Sequence, residues 1–380
     1  MKVGVPCETK EGETRVALAP ESVKELIKSG CEVLVEKNAG MKSYFSDKDY
    51  ADAGAKTVND AKSLYGQCDV LFMINPPTPA DLKLMRDGCT LFGLYWVLVN
   101  KDLIKTFQAK KMTVFSLELV PRITRAQSMD ALSSMSTVAG YKAVLIAAEK
   151  LGKFFPLLMT AAGTVNPATV LVIGAGVAGL QAIGTAKRIG ARVEAFDPRP
   201  AVKEQIESLG ARFVEMELPK EDAETKGGYA REMSDEFIKK EMEAIGARLP
   251  RIDIVISTAQ VFGKKAPVLI SEDMVKLMPS GSVIVDLAAE QGGNCVLTKP
   301  GKVVEKYGVT ILGPVNIPAS VPYHASQMYS RNMVNLFKNI YKGEVKKPDF
   351  NDEITKGCCV TSNGELVNEM VKKALGGESK

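Results

Sequence analysis

Histidine is almost missing from this chain: among 380 residues there is one, His324. Imidazole is the side chain whose ordinary pKa lies nearest neutrality, and it is the commonest general acid–base and metal ligand. With one copy, histidine clusters are excluded. Cysteine is present but not arranged for chemistry. The 7 cysteines form no C-x-x-C pair, and Cys358 and Cys359 are adjacent rather than spaced for a metal. No metal site is expected. An odd number of thiols among apolar neighbours, as with Cys68 in QCDVLFMI, reads as buried, reduced cysteine in a reducing compartment. Charge of one sign is lacking as well. Lys and Arg (49) alternate with Asp and Glu (45), leaving a net +4 with no basic arm or stripe, which argues against nucleic acid as a partner. Nor is there an unbroken apolar run of membrane-spanning length. Residues 154–186 carry no charge, but Pro156, Gly163, Asn166, Pro167 and then four glycines interrupt them, and a spanning helix needs roughly 20 continuous apolar residues. The chain opens on a strand-like run followed at once by charges, unlike a signal or transit peptide.

What remains is the balance of a globular protein, 46% apolar and 25% charged, in a chain long enough for two domains. Short apolar runs at 2–6, 31–36, 69–74, 90–94 and 112–119 read as strands. Helical spacing fills the gaps at 20–29, 47–53, 59–65, 79–86 and 101–110. A polar stretch, 121–130, precedes a long helical pattern over 132–154, with Val138, Tyr141, Leu145, Ala148 and Leu151 expected on its buried face. Strand-like runs resume at 169–173, 192–196, 212–214, 252–258, 282–287 and 309–312. A polar segment, 217–228, interrupts them, and 322–341 reads as a second long helix. Alternation at this pitch predicts an α/β protein: two Rossmann-like, doubly wound parallel-sheet domains joined by long crossing helices. The expected domains are 1–130 plus 330–380, discontinuous, and 131–329.

The strongest local signal is TVLVIGAGVAGLQAIGTAKRIGARVEAFD, residues 169–197. A strand runs into Gly174-Ala175-Gly176-Val177-Ala178-Gly179 and a helix follows. Gly174 suits a tight turn, Gly176 lets a pyrophosphate approach the backbone, and Gly179 permits close helix–strand packing. Helix N–H groups and dipole then hold phosphate without a cation. G-x-G-x-x-G alone is weak evidence. Here the flanks fit, and Asp197 ends the next strand 23 residues after Gly174. A carboxylate there binds both ribose hydroxyls of NAD and repels the 2′-phosphate of NADP. Arg199 raises the opposite possibility of pairing that phosphate, and its simpler reading is a residue lying along the adenosine, next to Pro198. The strand-end position of Asp197 favours NAD.

Two further segments are candidates. IVISTAQ, residues 254–260, opens into small polar residues at a strand end, which makes Ala259 and Gln260 candidates for the nicotinamide side; an ordinary strand end is the plainer alternative. PRITRAQSMD, residues 121–130, gathers two arginines, a glutamine and an aspartate within nine residues. It reads equally as a nicotinamide clamp or as a polar surface loop.

These residues carry a resemblance. PRITRAQSMDALSS, AAGTVNPATVLVIGAGVAGLQAIGTAKRIGA, GGYAREMSDEFIKKE and GSVIVDLAAEQGGNC together resemble the NAD(H)-binding component of proton-translocating NAD(P) transhydrogenases, with similarity from Met1 to about Cys359. The resemblance implies a peripheral, dimeric component. It would dock on a membrane proton-channel component and a separate NADP(H)-binding component, on the cytoplasmic or organelle-matrix face of a membrane. It implies that Arg122, Gln127, Asp130 and Ser133, with Ile123 and Thr124 between them, position the nicotinamide and its ribose. It implies that Gly174, Ala175, Gly176 and Val177, with Asp197, Pro198 and Arg199, hold pyrophosphate and adenosine. It also implies that Gly228 and Tyr229 belong to a mobile loop closing over NAD(H). The chain departs from the family where a lysine is common near Asn75, and where Leu-Ile-Pro commonly follows STA, here Gln260-Val-Phe262.

Alanine dehydrogenases are related by fold and share Arg15-Val-Ala and the VDLA–QGG pattern, but they use a lysine, a histidine and an aspartate. This chain has Asn75, Leu94-Tyr95-Trp96 and Glu290 near those positions. Hydride transfer between two nicotinamides moves no proton to or from a substrate, so it needs two rings held face to face rather than a general acid or base. The expected function is therefore the transhydrogenase component. An amino-acid dehydrogenase and an NAD-sensing binding module are the alternatives.

Overall fold

The computed structural model describes residues 1–216, 234–261, 263–342 and 347–376. The chain divides into two compact units, Met1–Met135 with Ala319–Lys380, and Ser136–Pro318.

In the first unit, the strands β1 (Lys2–Val5), β2 (Glu32–Glu36), β3 (Lys56–Val58), β4 (Val70–Phe72), β5 (Thr90–Gly93) and β6 (Thr113–Ser116) are parallel neighbours. Two late strands, β16 (Cys359–Ser362) and β17 (Glu365–Leu366), add antiparallel at one edge. The order β17-β16-β6-β5-β4-β1-β2-β3 reverses direction between β1 and β4. The inner strands are apolar on both faces, as a sheet covered by helices demands. Those helices are α1 (Pro20–Lys28), α2 (Asp47–Asp52), α3 (Ala61–Gln67), α4 (Pro79–Leu84), α5 (Lys101–Ala109), α11 (Pro322–Ile340), α12 (Glu353–Cys358) and α13 (Glu369–Ala374). Ser46 and Thr78 begin α2 and α4 with capping boxes, each side chain accepting the N–H three residues on. Phe337 of α11 meets Phe72 and Phe92 edge-on, with ring centres 5.5 and 5.9 Å apart.

The second unit is a sheet of order β11-β10-β9-β12-β13-β15-β14. Its strands are β9 (Thr169–Ile173), β10 (Arg192–Phe196), β11 (Arg212–Phe213), β12 (Ile254–Ser257), β13 (Val283–Asp286), β14 (Val303–Lys306) and β15 (Val309–Leu312). Only the pairing of β14 with β15 is antiparallel among the described residues. From β9 the order runs one way to β10 and β11 and the other way to β12, so the topological switch lies between β9 and β12. The helices are α7 (Val177–Arg188), α8 (Lys203–Ser208), α9 (Asp235–Gly246) and α10 (Glu272–Lys276), and α6 (Ala131–Lys150) brings the chain in from the first unit. A small hairpin, β7 (Leu158–Thr160) with β8 (Gly163–Val165), stands apart from the sheet.

Three differences from the sequence-based expectation have physical causes. The buried stripe of α6 is Gly140, Ala143, Val144 and Ala147, followed by Leu151, whereas Tyr141 is exposed. Small residues face inward because α6 lies close on the start of α7: a Cβ on Gly140 would sit 2.1 Å from the Ala178 carbonyl oxygen. The expected strand 112–119 stops at Ser116 and turns into a 3-10 helix, Leu117–Leu119. That turn carries the Glu118 carboxylate back to accept the N–H groups of Tyr95 and Val97. Strand β3, with its exposed Lys56 and Thr57, is too short to show a period. Helix α6 is also the one described helix long and apolar enough to cross a membrane by length and composition. Its Ala143, Val144 and Ala147 are fully buried in the core of the second unit.

Candidate nucleotide site

At the end of β9 the backbone reverses through Gly174, whose φ of +92° lies in the region L side chains avoid. A Cβ on Gly174 would also meet Thr258 Oγ1 at 2.6 Å, and one on Gly179 would meet the Gly174 carbonyl oxygen at 1.8 Å. Both glycines are thus required by packing alone. Gly176 is different. It is exposed, it precedes the first residue of α7, and a Cβ there would meet nothing within 4 Å. Beside it Val177, an apolar residue, is 39% exposed. The open space lies where the N-terminal end of a 12-residue helix concentrates its partial positive charge. The loop therefore fits the pyrophosphate of a dinucleotide.

Asp197 follows β10 and is buried. Its carboxylate accepts the Ala175 N–H at 2.7 Å and, at 2.9 Å each, the N–H, Nε and Nη2 groups of Arg199. Asp197 and Arg199, read from sequence as competing determinants of cofactor choice, are hydrogen-bonded to each other, and the pair anchors the glycine loop. Pro198 is half-buried between them. Behind this pair sits an acid that sequence reasoning missed. On α9 the buried stripe is Phe237, Glu241 and Ile245, so Glu241 occupies a core position four residues from an apolar neighbour on either side. Burial first, and the charge of Asp197 second, push its carboxyl from an ordinary 4.5 up to about 7. An acid at a position of apolar period was the available signal.

The third strand end at the switch is that of β12. Ser257 is buried and donates to Asp286 Oδ1 at 3.1 Å. Thr258 Oγ1 donates to the carbonyls of Ile173 and Gly174 at 3.2 and 3.1 Å, which ties β12 to the glycine loop. Ala259 is half-buried, with its backbone held by the side chain of Asn294. Gln260 is exposed, and its amide donates to the Leu287 carbonyl at 2.9 Å. Gly174, Ala175, Gly176, Val177, Gly179, Asp197, Pro198, Arg199, Ala259 and Gln260 therefore gather at the carboxyl ends of β9, β10 and β12. This is the place where open α/β sheets bind ligands. Gly228 and Tyr229 lie outside the described residues.

The segment 121–133 belongs to the first unit. Thr124–Met129 forms a 3-10 helix in which Ala126 and Met129 are buried. Asn332 and Asn335 of α11 donate to the Ser128 carbonyl at 2.9 and 3.1 Å. Anchored in this way, the helix leaves Arg122, Thr124 and Gln127 exposed and Ile123 half-buried. Arg125 is committed elsewhere, to Asp352 at 2.5 Å and Asn339 at 3.2 Å. Burial alone would raise the Asp352 carboxyl, but these donors outweigh it and hold it at about 2. Asp130 and Ser133 are partners: Asp130 accepts the Ser133 N–H at 2.9 Å and its hydroxyl at 2.6 Å, which caps α6.

The switch between β1 and β4 in the first unit has no glycine loop. Glu8 accepts the N–H groups of Ile74 and Asn75 and the amide of Asn75. That amide also donates to Glu13, which is buried against Arg15 at 2.6 Å. Burial pushes Glu8 up to about 7 against the pull of its donors. Glu13 is held at about 2, because Arg15 outweighs the effect of burial. Asn75 is thus absorbed in a carboxylate network. Tyr95 is fully buried, and Glu290 is exposed and accepts the Asn316 N–H at 3.3 Å. A cavity of about 660 Å³ in this unit lies between α4 and α5, lined by Lys83, Lys101 and Lys110 among others, and none of the motif residues borders it.

Two family descriptions match the chain: Alanine dehydrogenase/PNT, N-terminal domain, over residues 4–139, and Alanine dehydrogenase/PNT, C-terminal domain, over residues 143–369. In Rhodospirillum rubrum the first of the chains that make up NAD(P) transhydrogenase subunit alpha is 46% identical over 376 residues, 97% of this chain and 98% of that protein. A solved transhydrogenase from Sinorhizobium meliloti superposes with a TM-score of 0.85 at 37% identity, covering 97% of this chain and 100% of the other. Alanine dehydrogenase of Staphylococcus saprophyticus is more distant, 30% identical over 99% of this chain and 97% of its own length. The glycine loop, the acid after β10 and these whole-length similarities agree: the chain belongs to the alanine dehydrogenase/PNT family and, within it, to the NAD(P) transhydrogenase alpha subunits.

Proposed function

We propose that the second unit binds NAD(H) and offers it for hydride exchange with NADP(H) held on a partner component, and that a membrane component couples the exchange to proton movement. The observation that carries this reading is the cradle at Gly176. It is open where a side chain would sit, lies at a helix N-terminus, and is braced by the bond from Ala175 N–H to Asp197. The nicotinamide supplies the hydride; everything else is positioning.

Gly174, Gly176 and the first N–H groups of α7 take the pyrophosphate. Asp197 takes the adenosine ribose hydroxyls by exchanging some of its bonds with Arg199, and a buried carboxylate at that point opposes a 2′-phosphate. The strand end at Ala259 and Gln260 faces the nicotinamide. Gln127, Arg122, Asp130 and Ser133 are assigned to the same ring and its ribose, with Ile123 and Thr124 beside them. The name of the Rhodospirillum relative, a subunit alpha, supports the existence of partner components. The β7–β8 hairpin and its approach leave Met159 82%, Phe154 59% and Leu157 52% exposed. Apolar exposure of this kind supports a homodimer. The membrane component places the chain peripherally, on a cytoplasmic or matrix face.

The test is hydride transfer from NADH to an NADP analogue after mixing with an NADP(H)-binding component, together with fluorescence titration of NADH and NADPH. Transfer that depends on the partner, with NADH preferred, is expected. Equal affinity for the two nucleotides would overturn the assignment. Reduction of NAD by alanine without any partner would favour an amino-acid dehydrogenase, and binding without transfer a sensing module.

A further inference from the structure

Strand β12 ends at Ser257, and two residues later the backbone has left the sheet. On one side β9 has already turned away at Gly174, and on the other β13 ends at Asp286. Ala259 therefore has no strand to pair with, yet a half-buried N–H and C=O need partners. One side chain supplies both. Asn294 Oδ1 accepts the Ala259 N–H at 3.1 Å, and its Nδ2 donates to the Ala259 carbonyl at 2.8 Å and to the Pro267 carbonyl at 2.8 Å. A primary amide carries a donor and an acceptor in one plane, so it replaces the missing strand for a single residue.

Asn294 is itself immobilised. It is fully buried, its N–H donates to Asp286 Oδ2 at 2.7 Å, and its carbonyl accepts the N–H groups of Leu269 and Ile270 at 2.8 and 3.0 Å. Gly292 and Gly293, both at positive φ, turn the chain back so that this N–H reaches Asp286. A Cβ on Gly293 would crowd Asp286 Oδ2 at 2.9 Å. Since Thr258 is bonded to Gly174, the spacing between the glycine loop and Ala259 is set by side-chain hydrogen bonds rather than by a β-ladder.

We infer that Asn294 is a positioning residue that fixes the depth of the nicotinamide by holding the backbone of Ala259 against the glycine loop. The inference rests on the proposed placement of the nicotinamide beside Ala259. Most of the affinity comes from the pyrophosphate and adenosine, which Asn294 does not touch. Transfer between rings, by contrast, is sensitive to displacements on the order of 1 Å.

Asn294→Asp keeps the shape and the acceptor but loses the donor to the carbonyls of Ala259 and Pro267. In the complex with its NADP(H)-binding component, single-turnover transfer from bound NADH is expected to fall by roughly 10- to 100-fold. NADH affinity of the same preparation should stay within about 3-fold, a change of under 1 kcal/mol. Asn294→Ser, smaller and uncharged, should show the same split and decides the matter if the aspartate variant does not fold. Parallel losses in rate and affinity, or no loss in either, would overturn the inference. If the parent complex itself transfers no hydride, the functional reading fails first and takes this inference with it.

Discussion

Glu241→Gln tests whether the acid behind Asp197 is strained by its place in the core. On α9 it replaces what the period would make an apolar residue, between Phe237 and Ile245, and it faces the charge of Asp197. Its carboxyl titrates near 4.5 in the unfolded chain and near 7 in the folded one. Because the folded value is the higher, the folded state holds the proton more tightly. The corresponding stability is complete below pH 4.5 and is lost as the pH rises to about 7. At about 1.4 kcal/mol per pH unit the loss amounts to about 3 kcal/mol. Glutamine matches the neutral acid in shape and does not titrate. The variant should therefore resemble the parent at pH 5 and be more stable by about 3 kcal/mol at pH 8. Urea unfolding followed by far-ultraviolet circular dichroism, with both proteins at each pH, measures the difference directly. A gap between the two proteins that is the same at pH 5 and pH 8 would refute the reasoning.

Four other expectations rest on the same structure. Gly140→Ala forces a Cβ against the Ala178 carbonyl and should destabilise the second unit by about 1–3 kcal/mol in urea unfolding. Gly176→Ala meets nothing, so its melting temperature should match the parent while NADH affinity drops at least 10-fold, about 1.4 kcal/mol; an unchanged affinity would remove the pyrophosphate from this loop. Asp197→Asn weakens bonds to the ribose and releases Arg199, so NADH affinity should fall by about 1.5–3 kcal/mol while NADPH affinity rises; titration showing an unaltered preference would separate Asp197 from cofactor choice. Alanine with NAD at mildly alkaline pH should yield no NADH, since Asn75 is tied to Glu8 and Glu13; turnover near 1 per second, an ordinary enzyme rate, would contradict this.

The parts of this protein visible in its sequence are those whose cause is local. Gly174, Gly179 and Asp197 are spaced along one strand–turn–helix–strand unit, so order and distance along the chain are enough to assign them. The long helix is legible in extent but not in orientation. Its buried stripe consists of small residues chosen by the proximity of Ala178, a partner far away in sequence, whereas its period is set most visibly by large residues such as Tyr141, which is exposed. Strands β16 and β17 are invisible for a similar reason. Cys359–Ser362 becomes a strand because β6 offers it an edge, and nothing in four residues announces that edge. Asn294 and Glu241 both lie inside recognisable motifs, yet what distinguishes them is burial and the identity of their neighbours. Neither is encoded by spacing.

The absence of histidine chemistry finds its structural counterpart in how the buried acids are used. In each sheet, strand ends at or beside the switch place a carboxylate where it accepts backbone N–H groups from an adjoining loop. Glu8 does so for Ile74 and Asn75, and Glu118 for Tyr95 and Val97. Asp197 does so for Ala175 and Arg199, and Asp286 for Ala288, Asn294 and Cys295. A carboxylate so engaged is a poor proton carrier, because protonating it breaks bonds that hold the loop. It is a strong fastener, since a charge-assisted hydrogen bond inside the protein is worth roughly twice a neutral one. Reactions that move protons at the substrate need an acid left partly free, and these four acids are not. Hydride exchange between two bound rings asks instead for loops that do not shift by an ångström. On that account the buried charge at these strand ends maintains geometry, and substitutions there should alter where the nucleotide sits before they alter any pH dependence of the transfer step.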